Sequence, residues 1–127
     1  MKTAIESKKV PAPIGPYSQA IVANGMVYTS GQIAIDPATG EYTPSTVEAE
    51  AELVMKNLEA LLEASGADFS TVVKTSIFLQ NMSDFAQVNA VYAKYMVAPF
   101  PARETVEVAQ LPKSVKVEIS MIAIVKS

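Results

Sequence analysis

The chain of 127 residues contains no histidine, no cysteine and no tryptophan. Without histidine or cysteine, the usual zinc sites, cysteine nucleophiles and Ser-His-Asp triads are excluded. The lack of cysteine also excludes disulfides, although it does not by itself identify a compartment. A proton carrier that works near neutral pH must therefore be a carboxylate or lysine with a shifted pKa, or a tyrosine.

Long hydrophobic runs are missing as well. No apolar stretch approaches the roughly 20 residues of a membrane span, and Met1–Lys9 has no hydrophobic stretch typical of a signal peptide. A cytoplasmic location and no membrane partner are therefore expected by default. The net charge of −3 argues against a broad phosphate-binding surface, so no nucleic-acid partner is expected.

Arginine occurs only once in the chain, as Arg103. Its planar fork fits a carboxylate with two parallel hydrogen bonds, whereas lysine is a hydrated point charge. Arg103 follows Pro99 and Pro101 and begins a strand-like run. It either forms a structural ion pair with one of the thirteen acids or clamps a ligand carboxylate, and the residues alone leave both alternatives open.

Length and composition, with 50% apolar and 18% charged residues, fit a single globular domain over residues 1–127. Asn24-Gly25 is a strong signal for a two-residue hairpin turn. Ser45 followed by Glu48 fits a helix capping box. The pattern predicts strands at 20–23, 26–30 and 31–35, a helix from Ser45 to Gly66, a strand at 72–79, a helix from Asn81 or Ser83 to Pro99, and strands at 104–109 and 115–125. The second helix is predicted to bury a core stripe of Phe85, Val88, Tyr92 and Tyr95.

This order of elements predicts an α+β fold, with both helices covering one face of a mostly antiparallel sheet. The last strand is apolar on both faces, with Ile119 and Met121 on one and Ile122 and Ile124 on the other. A strand buried on two sides needs a second cover, so we expect a homo-oligomer built through the open sheet face. The alternative is that this face tolerates exposed isoleucine.

One acid, Glu118, interrupts the final apolar run. A carboxylate there is either paired, with Lys113 or Lys116, or functional, because burying it alone is costly. Side chains alternate along a strand, so Arg103 and Thr105 share one face of theirs. If Arg103 and Glu118 approach each other, they form either a salt bridge or a pocket for an anion and a water.

Three residues in the N-terminal third are weaker candidates for a site. Gly31 allows a ligand to approach the backbone closely. Ser30 is a candidate hydroxyl donor, although a polar strand end is the more ordinary interpretation. Tyr17 lies in a stiff Gly-Pro turn, where a tyrosine usually just packs.

Several short segments, in order and spread over nearly the whole chain, form a specific set. They are Ala12–Ala20, Thr29–Ile33, Val73–Thr75, Asp84–Asn89, Pro101–Arg103, Leu111–Lys113 and Val117–Ile119. Together they resemble the RidA/YjgF family of reactive-intermediate deaminases. The resemblance implies a chorismate mutase-like (YjgF-type) fold, in which a six-stranded sheet is backed by two helices. It also implies a homotrimer with inward-facing sheets and three clefts at the subunit interfaces.

The resemblance also implies a chemistry. The family hydrolyses 2-imino acids and their enamine tautomers, such as 2-aminoacrylate/2-iminopropanoate and 2-iminobutanoate, to 2-keto acids and ammonia, without a metal or cofactor. Arg103 is expected to clamp the substrate carboxylate with help from the Gly31 N–H, and Glu118 to activate water. The residues expected to line the cleft are Tyr17, Ser30, Asn89 and Thr105.

The chain departs from the family pattern at Thr105, where a cysteine is common, and at Glu104 and Ser120. A threonine can form hydrogen bonds but is not a thiol nucleophile. Two other functions compete with deamination. One is a regulatory trimer that binds 2-keto acids without turnover. The other is an endoribonuclease, which the acidic composition and missing histidine make less expected.

Overall fold

The computed structural model describes residues 1–127. The chain forms six strands and two α-helices, in the order βββαβαββ, with short 3₁₀ turns at Phe69–Thr71, Met82–Asp84 and Pro112–Ser114. The elements are β1 (Thr3–Ile5), β2 (Ala20–Ala23), β3 (Met26–Thr29), α1 (Val47–Ala64), β4 (Val72–Leu79), α2 (Phe85–Tyr95), β5 (Ala102–Glu107) and β6 (Val117–Ile124). None of the helices is long and apolar enough to cross a membrane.

The strands form one sheet in the order β1-β2-β3-β6-β4-β5. Every neighbouring pair is antiparallel except β4 and β5, which run parallel. A parallel pair needs a long crossover, and α2 supplies it. The predicted α+β class, with two helices and a six-stranded, mostly antiparallel sheet, is confirmed.

Both helices pack on the same face of this sheet. That face carries Ile77 and Leu79 of β4 and Ile119 of β6, which are buried in one cluster with the apolar stripe of α1. The α2 residue Tyr92 reaches the same face, where its hydroxyl donates to Thr75 Oγ1 at 3.0 Å. No helix covers the other face, where Tyr28 and Ile124 are exposed. The cover by another subunit stays a prediction.

The helix boundaries differ from the predicted ones in detail. Thr46, one residue after Ser45, caps α1, because its Oγ1 accepts the Ala49 N–H at 3.1 Å. Gly66, with φ +82°, ends the helix as expected. A 3₁₀ turn at Met82–Asp84 precedes α2, and neither predicted capping residue provides a side-chain hydrogen bond there.

The strands in the N-terminal third also differ from the predicted ones. Residues 31–35 were expected to be a strand, but they form isolated bridges, because the chain turns on itself where Ile35 N–H donates to Ile33 O. The sixth strand of the sheet is β1, which was not predicted. It lies at the sheet edge, where Thr3 pairs with Val22. A three-residue exposed strand has no hydrophobic alternation that sequence analysis could detect.

Glu50 joins three parts of the fold. Its side chain is only 1% exposed and accepts hydrogen bonds from the Tyr42 hydroxyl at 2.7 Å and the Lys116 backbone N–H at 3.0 Å. Lys116 Nζ lies 3.3 Å from the same carboxylate. Burial, followed by the bond to Glu50, raises the pKa of Tyr42 to about 12. The carboxylate thus ties the loop before α1 and the start of β6 to the helix.

We expect Glu50→Ala to lower the free energy of unfolding by about 3 kcal/mol, because it leaves buried donors unpaired. Tyr42→Phe, which removes one of these bonds, should cost about 1 kcal/mol. Urea denaturation measures both. Glu59→Ala, an exposed site on the same helix, is the control, and an equal effect at the two glutamates would contradict this account.

Candidate active site

Arg103 lies on β5, at the edge of the sheet. The β4–β5 register places it opposite Thr75, on the face covered by the helices. Its Nη1 donates to Oδ1 of Asn89, on α2, at 2.8 Å. None of the four salt bridges in the chain involves Arg103. A structural ion pair, one of the two alternatives for this arginine, is therefore absent within one chain.

The guanidinium contacts two aromatic rings of α2. Arg103 Cζ is 5.1 Å from the ring centroid of Tyr92 and 5.6 Å from that of Phe85, which is within cation–π range. Phe85 was predicted to be in the core, yet it is exposed. The pocket beside the arginine is lined by Asn89, Tyr92, Ala93, Met96, Phe100, Pro101 and Arg103.

Thr105 shares the face of Arg103, two residues further along β5. Its Oγ1 is the one buried side-chain nitrogen or oxygen in the chain without a hydrogen-bond partner. A buried hydroxyl without a partner is costly, so Thr105 is a candidate contact for a ligand or water.

Glu118 lies on the opposite face of the sheet. It is opposite Phe78 in the β4–β6 register, so it points away from the helices. It is half-buried and forms no salt bridge or hydrogen bond within the chain, because Lys116 pairs with Glu50 instead. Burial raises the pKa of the Glu118 carboxyl. Of the two interpretations of this acid, the lysine-paired one is absent from the structure.

Gly31 is next to this carboxylate. Backbone hydrogen bonds between Gln32 and Ile119, at 2.8 and 3.1 Å, hold the segment beside β6. A Cβ built on Gly31 would lie 2.5 Å from Glu118 Oε2 and 2.7 Å from Cδ. Any larger residue would have to displace the carboxylate, so the glycine leaves room for Glu118 in this position.

Ser30 connects Gly31 to the turn that carries Tyr17. The Ser30 hydroxyl donates to the Ser18 carbonyl at 2.6 Å, and the Ser30 N–H donates to Gln19 O at 2.9 Å. The predicted donor therefore uses its proton within the chain and can only accept from a ligand. Tyr17 is more than half exposed beside this turn.

The site residues expected from the sequence thus form two groups, not one. The Arg103 group comprises Arg103, Asn89 and Thr105 on the helix face, and the Glu118 group comprises Glu118, Gly31, Ser30 and the turn with Tyr17. Arg103 and Glu118 belong to strands two positions apart, a spacing of about 10 Å, and project to opposite faces. They cannot form a salt bridge within one chain.

Sequence reasoning missed the aromatic contacts of Arg103. A usable signal was present, because Phe85, Asn89 and Tyr92 recur at steps of four and three and share one side of α2. Asn89 was assigned to the cleft, while the two aromatics were assigned to the core. The chain contains no cluster of three or more acidic, histidine or cysteine side chains that could hold a metal ion.

Fold and site together define an α+β protein with an arginine that has no acidic partner and a separate, unpaired carboxyl. Residues 7–125 match the family model described as Endoribonuclease L-PSP. The chain belongs to this family, which is also known as YjgF/RidA.

Known relatives extend over nearly the whole chain. Reactive Intermediate Deaminase A, chloroplastic, of Arabidopsis thaliana is 50% identical over 96% of this chain, which spans 65% of that protein. The 2-iminobutanoate/2-iminopropanoate deaminase of Mus musculus is 44% identical over 98% of this chain and 92% of its own length. The crystal structure of E. coli TdcF with bound serine superposes with a TM-score of 0.91 at 38% identity, covering 98% of this chain and 99% of that one.

The raised pKa of Glu118 predicts a pH-dependent difference in stability. Because the folded pKa exceeds the unfolded one, stability is lost as pH rises through the folded pKa, and is fully present below about 4.3, the ordinary glutamate value. We therefore expect Glu118→Gln to be more stable than the parent at pH 7, with the difference disappearing below that value.

Thermal unfolding between pH 3.5 and 8 measures this difference. Glu63→Gln, at an exposed position of α1, is the matched control and should change stability equally at all pH values. A Glu118→Gln variant that is less stable than the parent at pH 7 would contradict the burial of an unpaired charge.

Proposed function

We propose that this protein hydrolyses reactive 2-imino acids and their enamine tautomers, such as 2-aminoacrylate/2-iminopropanoate and 2-iminobutanoate, to 2-keto acids and ammonia. The observation that carries this proposal is an arginine without an acidic partner, held in place by α2 with part of its fork unoccupied. The names of the plant and mouse relatives point to the same chemistry. The expected cytoplasmic location remains a prediction.

Arg103 would bind the substrate carboxylate. A guanidinium forms two parallel hydrogen bonds to a carboxylate, and this one is already oriented by Asn89. Thr105, with its unpaired buried hydroxyl, would contact the ligand or a water beside it. A relative crystallised with serine, which is also a small molecule with a carboxylate next to a nitrogen-bearing carbon, supports this type of ligand.

Glu118 would handle the attacking water. A protonated imine is already electrophilic, so the protein mainly has to orient substrate and water and accept a proton. Water adds to the imine carbon, forming a C–O bond and giving one proton to Glu118. That proton then passes to the amine nitrogen, the C–N bond breaks, and ammonia leaves with the hydroxyl proton as ammonium while the carbonyl forms. A carboxyl with a raised pKa is suited to both transfers.

A complete cleft would require two copies of the chain, because Arg103 and Glu118 project to opposite faces. Arg103 lies on an edge strand, where the open face of a neighbour can reach it. That open face exposes Tyr28 by 45% and Ile124 by 48%, together with Val106 of β5, which is an unusual apolar surface. We therefore propose a homotrimer with one cleft at each interface.

A second candidate function is a carboxylate-binding regulator without turnover. It is favoured by one observation: the residues that line the Arg103 pocket all come from a single chain, whereas Glu118 lies elsewhere. Calorimetry with 2-ketobutyrate, run beside an activity assay, separates the two functions. Binding without any hydrolysis of imine would favour the regulator.

An endoribonuclease is the function named in the family description. RNA affinity rests largely on cationic contacts, and this chain has a net charge of −3 and one arginine. RNA cleavage that persists through purification and is lost in both Arg103→Ala and Glu118→Gln would support this alternative against deamination.

We expect Arg103→Ala to lower kcat/KM for imine hydrolysis by about 100-fold or more, because the substrate loses its orientation. Arg103→Lys should fall between parent and Ala, since a point charge attracts the carboxylate without a fork. The assay generates 2-aminoacrylate with a dehydratase and follows release of the keto acid. Lys56→Ala, an exposed cation on α1, is the control, and parent-like hydrolysis by Arg103→Ala would refute the carboxylate clamp.

A further inference from the structure

The hydrogen bonds of Arg103 are distributed unevenly over its guanidinium. Nη1 is engaged by Asn89 Oδ1 at 2.8 Å, and no other side-chain hydrogen bond of Arg103 is formed within the chain. The edge made by Nε and Nη2 is therefore free. A carboxylate can bind to that edge with two parallel hydrogen bonds without displacing Asn89.

The plane of the same group is held by aromatic rings. Tyr92 and Phe85 lie 5.1 and 5.6 Å from Cζ, measured to their ring centroids. Such contacts restrict how a guanidinium turns, because the cation is favoured over the ring face. Phe85 is partly exposed, so Tyr92 is the ring that the protein interior fixes in position.

Tyr92 is in turn anchored to the strand beside Arg103. It is 6% exposed, and its hydroxyl donates to Thr75 Oγ1 at 3.0 Å. Thr75 is fully buried and is the residue opposite Arg103 in the parallel β4–β5 pairing. Arg103, Thr75 and Tyr92 thus form a closed loop of contacts through two strands and one helix.

We propose that Tyr92 is a positioning residue, whose ring holds the Arg103 guanidinium in one plane so that its Nε–Nη2 edge is ready for a carboxylate. This role rests on the carboxylate-binding function proposed for Arg103. A group that is ordered before binding loses less conformational freedom when the ligand arrives, which improves affinity. The hydroxyl of Tyr92 fixes the position of its ring through the bond to Thr75, and the ring orients the guanidinium of Arg103.

A ligand-free test is available because the chain has a single arginine. Protein labelled with ¹⁵N-arginine gives one Nε–Hε signal that needs no assignment. In the parent and in Tyr92→Phe, we expect this proton to show a ring-current shift and the Nη groups to rotate slowly. In Tyr92→Leu, the shift should move toward that of free arginine. Identical spectra for all three proteins would overturn the positioning role.

Binding of 2-ketobutyrate, measured by calorimetry, tests the consequence. We expect Tyr92→Leu to weaken binding about tenfold, because the guanidinium must then be ordered when the ligand arrives, and Tyr92→Phe to stay within about twofold of the parent. Both variants lose the bond to Thr75, so an effect that rests on that bond would weaken binding in both alike. Thermal unfolding of each variant measures the stability lost with the Tyr92–Thr75 hydrogen bond.

A double-mutant cycle links the effect to the fork of Arg103. In an Arg103→Lys background, Tyr92→Leu should change binding by less than about twofold, since an ammonium has no plane to hold. A full tenfold loss there would overturn the proposal. Phe85→Leu, at a partly exposed site, gives a smaller loss of the same kind and replaces Tyr92→Leu if the latter does not fold.

The two proposals fail in different ways. If 2-ketobutyrate binds with the expected coupling but no imine is hydrolysed, the deaminase function fails and the positioning role stands. If imine is hydrolysed in an Arg103-dependent manner while Tyr92→Leu matches the parent in binding and in the arginine spectrum, the positioning role fails alone.

Discussion

The parallel pairing of β4 with β5 is the constraint on which the candidate site depends. It sets Arg103 opposite Thr75 on the helix-covered face, where α2, the crossover that joins the two strands, brings Asn89 and Tyr92 against the guanidinium. The antiparallel pairing of β4 with β6 places Glu118 on the other face. Because side chains alternate strictly along a strand, no local adjustment brings the two charged groups together within one chain.

Both charged groups of the candidate site, Arg103 and Glu118, lack a partner within one chain, and the proposed assembly accounts for both. The Arg103 group lacks an acid, and the Glu118 group, with Gly31 fitted against its carboxylate, lacks a cation. The open sheet face that carries Glu118 also exposes apolar side chains such as Tyr28 and Ile124. Placing a second copy against that face would cover the apolar surface and bring the Glu118 of one copy into the cleft beside the Arg103 of the other. Assembly and catalysis would then depend on the same contact.

Much of the fold was predictable from the sequence, and less of the site. The apolar period of α1, the β-branched run of β4 and the doubly apolar β6 are strong local patterns, so their elements were identified correctly. The three-residue β1 has no such pattern, and 31–35 has strand-like residues whose pairing is decided by β6. Arg103 and Glu118 were singled out by scarcity and context. Their separation was not predictable, because it follows from strand order and register, which are tertiary properties.

The central claim, that Arg103 and Glu118 of different copies share a cleft, is tested most directly by mixing inactive subunits. Arg103→Ala and Glu118→Gln chains, carrying different tags, are co-expressed, and oligomers with both tags are assayed for imine hydrolysis. If each cleft takes its arginine from one copy and its glutamate from the next, a trimer with both tags has one of its three clefts intact in either composition, so the purified mixed trimers restore about one third of the parental activity. Recovered activity of that order, with each variant inactive alone, is the predicted result. No recovery in mixed oligomers would contradict the shared cleft.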